Sequence, residues 1–381
     1  MSFTYPSFIS IFLPALEGGG AERAMLHLAQ GFIQYGIKTD LVVAEAEGAY
    51  LDMLPAGLKL VNLQAKAPVL VSKTLALRQY LQRVQPDVLL SALDIASSAT
   101  WAKRLAGVST RVVMCVQTNL SQQFRDHQPL TGGKIRPQLV RWFYPWADQI
   151  IAASAGVAAN VAVITNLSSE NISVIYNPVV TSAMKAKMQT AIAHPWFAPG
   201  APPVILGVGR LVTQKDFPTL IRAFAILRQQ RQARLMILGE GDQRAKLEAL
   251  VKDLDLTNDV ALPGFVENPY AYMAKASVFA LSSIFEGFGN VVAEALAAGT
   301  PVVSTDCESG PAEILANGQY GKLVPVRDET ALASAIAITL DQPRDSNRLQ
   351  QRAEAFSVNT VTQQYLQVLQ PEMNPPRSLA S

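Results

Sequence analysis

Three glycine-containing stretches carry the groups in this chain that could do chemistry. The first is Gly18-Gly19-Gly20-Ala21-Glu22-Arg23, which follows the apolar run Phe8–Leu13 and opens a helical pattern. Glycine lets the backbone approach a ligand closely, and the unpaired amides of a helix start attract an anion. A plain strand-to-helix turn needs one glycine rather than three, although many folds use such a loop. The second is Gly209-Arg210-Leu211 with Lys215, directly after Val204–Val208. A guanidinium and an ammonium there can clamp paired phosphates, while the same residues in a loop are as often simply solvated. The third runs from Glu286 through Gly287, Phe288, Gly289, Asn290, Val291, Val292 and Ala293 to Glu294. A helix beginning near Asn290 would turn its amides toward a phosphate. Glu294 falls in the first turns of that helix, where a carboxylate can accept both hydroxyls of a ribose, as an acidic residue does in dinucleotide folds. Acids favour helix N-termini in any case, which accounts for Glu294 but not for Glu286 eight residues earlier in a glycine loop. Anion-binding loops in both halves, with a ribose carboxylate in the second, suit a nucleotide diphosphate held between two domains.

Open α/β sheets bind ligands at the carboxyl ends of their strands, so these loops presuppose strands alternating with helices. The sequence shows that alternation twice. In the first half, Phe8–Leu13, Lys38–Ala44, Asp87–Ser91, Arg111–Val116, Gln149–Ala153 and Ile172–Ile175 read as strands. Glu22–Tyr35, Ser72–Val84, Ile95–Ala106 and Ala155–Ile164 read as helices between them. Prolines 195, 199, 202 and 203 then interrupt the pattern, which places a linker at 178–202. Beyond it, Val204–Val208, Arg234–Leu238, Val260–Phe265, Val278–Ser282, Pro301–Ser304 and Lys322–Val324 are strand-like. Phe217–Gln229, Gln243–Leu254, Asn290–Ala298 and Glu329–Leu340 are helix-like. The fold class expected is α/β: two Rossmann-like doubly wound domains, 1–177 and 203–355, facing across a cleft.

Composition agrees with two large cores. The chain has 381 residues, 49% of them hydrophobic, which suits about two domains and excludes wholesale disorder. Mean hydropathy is +0.18, yet no apolar run approaches the roughly 18 residues of a membrane span. The opening segment lacks a basic region and a small-residue cleavage site, so it does not read as a secretory signal. Cys115 and Cys307 stand apart from each other and from any His cluster, which fits a reducing cytoplasm better than a disulfide framework or a zinc site. A net charge of +2 argues against nucleic acid held by bulk charge. The charge is unevenly spread, however. Residues 66–145 carry eleven Lys or Arg against three Asp, a net +8, leaving −6 to the rest.

These residues resemble a known family. Gly209-Arg210-Leu211 through Lys215, Leu238-Gly239-Glu240-Gly241, Pro263-Gly264-Phe265, Glu286 and Glu294 flanking Gly-Phe-Gly, and Ser309-Gly310-Pro311 look like a retaining glycosyltransferase of the GT-B fold, family 4. The opening glycine loop with Ala21-Glu22-Arg23, and Tyr176-Asn177-Pro178, match as well, so the resemblance spans nearly the whole chain. It implies transfer of a hexose or N-acetylhexosamine from a nucleotide-diphosphate sugar, most often UDP-linked, without a metal or other cofactor. Arg210 and Lys215 would neutralise the pyrophosphate, Glu294 would bind the ribose, and Glu286 would contact donor-sugar hydroxyls. The amides of Phe288, Gly289, Asn290 and Val291 would lie against sugar and phosphate, with Gly287 a further donor-binding position. Gly209, Gly239 and Glu240 would flank the donor, with the base near the last two, and the amides of Gly19 and Gly20 would reach across the cleft. Residues 356–370 would form a helix crossing back to the first domain.

One departure concerns the acceptor. Many relatives carry a His or an acid after the strand matching Arg111–Val116, where this chain has Gln117-Thr118-Asn119. Gln117, Asn119 and His127 are the acceptor-side candidates, while His27 and His194 read as structural. Arg136, Arg141, Trp142, Phe143, Tyr144 and Trp146 form a basic segment with aromatic anchors, the combination that favours anionic lipid headgroups. The same pattern also describes a buried aromatic cluster beside a solvated basic face. The expected partners are a nucleotide-diphosphate sugar, a saccharide or lipid-linked saccharide, and an anionic membrane surface. The expected location is the cytoplasm or the inner membrane face. A catalytically silent nucleotide-sugar binder and an epimerase of the same fold are the competing readings.

Overall fold

The computed structural model describes residues 5–65, 69–94, 97–126 and 135–370. Seven parallel strands make the first sheet: β1 (Phe8–Leu13), β2 (Lys38–Val43), β3 (Lys59–Asn62), β4 (Val88–Ala92), β5 (Arg111–Val116), β6 (Gln149–Ala152) and β7 (Ile172–Val174). They lie in the order β3-β2-β1-β4-β5-β6-β7. The second sheet has six parallel strands: β8 (Val204–Val208), β9 (Arg234–Leu238), β10 (Val260–Gly264), β11 (Val278–Leu281), β12 (Val302–Thr305) and β13 (Lys322–Val324), in the order β10-β9-β8-β11-β12-β13. Each order reverses direction beside its first strand, between β1 and β4 and between β8 and β11. At such a switch point the loops diverge and leave a crevice. The α/β, doubly wound reading of the sequence holds, and the three glycine stretches follow β1, β8 and β11.

The strands are apolar throughout because helices cover both faces of each sheet. In the first sheet Met25, Leu28 and Phe32 seal one face, while Leu77, Leu81, Val140 and Val161 seal the other. In the second, Leu220, Phe224, Leu332 and Ile336 lie opposite Met273, Val292, Leu296 and Phe356. Strand β3 escapes the sequence reading. Its four residues, Lys-Leu-Val-Asn, sit at a sheet edge with no fully buried side chain, so their apolar signal is short.

Residues 178–202 are not a free tether. Thr181 caps a short helix, Ser182–Lys187, and Met184 and Met188 are buried in the second core. The amides of Val179 and Val180 both donate to the carbonyl of Phe356, and Val180 pairs with Ser357 in a parallel bridge. The chain therefore crosses between domains twice, side by side. After the second crossing the helix Val358–Val368 lies on Gly20–Gln34 of the first domain. Tyr365 is buried there, edge-on to Phe32, and Arg111 donates to the carbonyls of Leu369 and Gln370. Gly31 makes this seat possible, since a Cβ at that position would fall 2.0 Å from Thr362 Oγ1.

Candidate active site

The loop after β11 is shaped by positions that only glycine fills. Gly289 has φ +92° and immediately precedes the helix Asn290–Ala297. A Cβ on Gly287 would meet the carbonyl of Gln117 at 2.0 Å. Glu286 is nearly buried and its Oε1 accepts from both Lys215 Nζ and Ser283 Oγ, each at 2.6 Å. Lys215 reaches it along Gly209, whose absent side chain leaves room for the lysine stem at 3.3–3.5 Å. Gly239, at φ +142°, lets the backbone after β9 pass against the carbonyl of Gly209, where a Cβ would sit 1.9 Å away. The ends of β8, β9 and β11 are thereby drawn into one crevice. Arg210 is exposed beside them, and no hydrogen bond or ion pair engages its guanidinium among the described residues. Glu240 instead holds Arg244 through both oxygens, at 2.7 and 2.8 Å.

Glu294, one turn into the helix, is 2% exposed and forms an ion pair with Arg23 of the first domain. Arg23 also donates to Tyr270 Oη at 3.2 Å. Proximity to Glu294 raises the pKa of Arg23 above its ordinary value, against the opposing effect of burial. Further bonds join the domains around the same loop. Asn290 Nδ2 donates to the carbonyl of Gly20 at 2.9 Å, and Asn177 Nδ2 donates to Asn290 Oδ1 at 3.0 Å. Ser154 Oγ donates to the carbonyl of Gly287 at 2.7 Å. The crevices of both sheets thus face each other across one cleft. Phe288 turns its ring away from this cleft into the core, stacked on Tyr176, so its backbone alone is left to face a ligand.

Two family models account for both halves: Glycosyltransferase Family 4 matches residues 18–183, and Glycosyl transferases group 1 matches residues 188–356. The chain is a group 1 glycosyltransferase. It is 29% identical over 373 residues to the N-acetylgalactosamine-N,N'-diacetylbacillosaminyl-diphospho-undecaprenol 4-alpha-N-acetylgalactosaminyltransferase of Campylobacter jejuni, covering 95% of this chain and 99% of the relative. It is 28% identical over 364 residues to the lipopolysaccharide core biosynthesis glycosyltransferase LpsE of Rhizobium meliloti, covering 93% and 96%. Among solved structures, Anabaena HepE in complex with UDP-glucose superposes with a TM-score of 0.74 at 21% identity, over 95% of this chain and 99% of that one. That last likeness establishes the fold.

Within this transferase the first-domain glycine loop differs from the expectation. The amides of Gly18 and Gly19 donate to the Glu22 carboxylate, which closes a capping turn, and Gly20 offers its carbonyl rather than its amide to Asn290. Of the acceptor-side candidates, Gln117 and Asn119 are buried on the cleft wall facing the Gly287 loop, and His127 lies outside the described residues. Asn119 Nδ2 and Gln122 Nε2 donate across the cleft to Glu308 Oε2 at 3.3 and 3.2 Å. His27 sits at the hinge, where Nδ1–H donates to the carbonyl of Pro178; burial lowers its pKa to about 4 and keeps it neutral. His194 Nδ1 accepts from Trp196 N and caps a turn. The aromatic segment divides: Phe143 and Tyr144 are buried, Trp146 packs on Trp101 under Arg104, and Trp142 stays 59% exposed beside exposed Arg141. Sequence reasoning gave no role to Arg23, Ser283 or Glu308. Only Arg23 carried a local signal, a cation in the first turn of a helix opened by a glycine loop.

Proposed function

We propose that this transferase moves a hexose or N-acetylhexosamine from a UDP-linked donor, with retention, to a lipid-linked or other cell-envelope saccharide. The observation that carries the reading is the pairing of Glu286 and Glu294 at the two ends of one glycine loop and helix start, with Lys215 held against the first. Glu294 takes the ribose hydroxyls, and the amides before Asn290–Ala297 face the diphosphate. Breaking the glycosyl–phosphate bond develops positive charge on the sugar and negative charge on the departing diphosphate, as the oxocarbenium-like state of glycoside hydrolysis leads one to expect. Lys215, held on Glu286, and the helix amides are fixed charges and dipoles that meet the leaving anion without reorganising, and the exposed guanidinium of Arg210 adds a second cation beside them. Glu286 positions the donor sugar; bonded on one oxygen by a lysine and a hydroxyl, its carboxylate is a poor nucleophile. The acceptor oxygen then attacks on the face the diphosphate leaves, and the departing phosphate takes its proton.

The UDP assignment draws on the HepE complex, and the acceptor class on the relatives whose names specify diphospho-undecaprenol and lipopolysaccharide core. The test is a panel of UDP-, GDP- and ADP-sugars read by thermal shift and diphosphate release. Stabilisation by the UDP set with slow release of UDP, both lost in Glu294→Ala, supports the reading. Binding without release under any acceptor points to a silent binder. No stabilisation by any nucleotide overturns the donor site itself.

A further inference from the structure

A carboxylate as enclosed as Glu294 needs a charged partner, because burying an unpaired charge is costly. In this structure that partner is supplied by the other domain: Arg23, 271 residues earlier, holds Glu294 Oε1 and is anchored by Tyr270 Oη. The proposed function places the ribose at this same carboxylate. Two hydroxyls are neutral donors, so exchanging the guanidinium for a ribose alone loses an ion pair at an enclosed carboxylate and leaves Arg23, its side chain 26% exposed, without its partner as well. A diphosphate removes that difficulty. It would lie at the start of Asn290–Ala297, one turn before Glu294, and residues four apart on a helix are about 5–6 Å apart. Arg23 stands on the first turn of the helix opposite, whose Gly20 carbonyl is already bonded to Asn290. A guanidinium could therefore pass from the carboxylate to the diphosphate with a small movement.

We propose that Arg23 is an exchangeable plug of the ribose site: it neutralises Glu294 while the cleft is empty and transfers to the diphosphate when the donor enters. The inference rests on Glu294 being the ribose carboxylate. It gives the protein a means of rejecting free nucleosides while accepting nucleoside diphosphates, and it ties donor binding to the arrangement of the two domains.

The experiment is calorimetric titration of uridine and UDP, with the guanosine and adenosine pairs in parallel, into wild type, Arg23→Ala, Arg23→Gln and Glu294→Ala. Arg23→Gln keeps a hydrogen-bond donor beside Glu294 should the alanine variant fold poorly. For the nucleotide class that wild type binds, the diphosphate should weaken about tenfold in both Arg23 variants. The nucleoside should tighten at least fivefold, so their affinity ratio collapses. A nucleoside affinity that stays the same or falls in Arg23→Gln overturns the plug. Unchanged diphosphate binding in Glu294→Ala instead overturns the ribose assignment on which the plug depends, and the two failures are thereby told apart.

Discussion

At the scale of single residues, the hinge histidine makes the clearest acid-dependent claim. His27 is neutral in the fold because burial lowers its pKa to about 4, whereas an unfolded chain protonates histidine near 6.5. Between those values the unfolded state binds the extra proton, so stability should fall as the pH drops through that window and level off below it. The full effect is on the order of 3 kcal/mol if the shift is complete. His27→Gln, whose amide can still donate to Pro178, should flatten this part of the curve; urea titrations at pH 7.5, 5.5 and 4.5 would check it. Other residues were legible because they are tied to backbone need. Gly239 and Gly289 have positive φ, and Gly287 lies against a neighbouring carbonyl, so the glycines announced the loops that carry Glu286 and Glu294. Arg23 was not legible as the partner of Glu294, because the two are 271 residues apart and no local spacing links them.

Among the elements, long apolar strands and amphipathic helices could be read directly, since burial on both faces leaves an unmistakable run. Elements with little buried surface could not. Strand β3 is one case. The helix Ser346–Ala353 is another, with only Leu349 and Ala353 buried in an otherwise polar sequence. The segment 178–202 was read as a break because prolines dominate its second half, yet its first half supplies Met184 and Met188 to a core. The seat of Val358–Val368 depends on one missing side chain. Gly31→Ala would drive a Cβ into Thr362 and should destabilise the protein by about 1–3 kcal/mol through overpacking. Adding Thr362→Ala should recover part of that loss, because the closest atom, Oγ1, is then gone. Thermal unfolding of the single and double variants gives the comparison.

For the whole molecule, the excess positive charge of residues 66–145 falls in the first domain, which also bears exposed Arg141 and Trp142. No helix among the described residues is long and apolar enough to cross a membrane. We propose that a lipid-linked acceptor is met at a membrane surface, with Trp142 inserted and the basic residues over anionic headgroups. Flotation with vesicles containing a third phosphatidylglycerol should carry the wild type upward at low salt and release it at high salt. Arg141→Ala/Trp142→Ala should float several-fold less, and a wild type that stays at the bottom at low salt would exclude this surface.

The paired crossings at Val180 and Ser357 carry a consequence of their own. The polypeptide leaves the first domain at Val180 and comes back to it at Ser357, onto the helix bearing Gly31. The second domain is thus entered and left through one doorway, its two connecting strands paired side by side. Trimming the chain from its C-terminal end would then strip Phe32 and Arg111 of their partners and damage the far domain first.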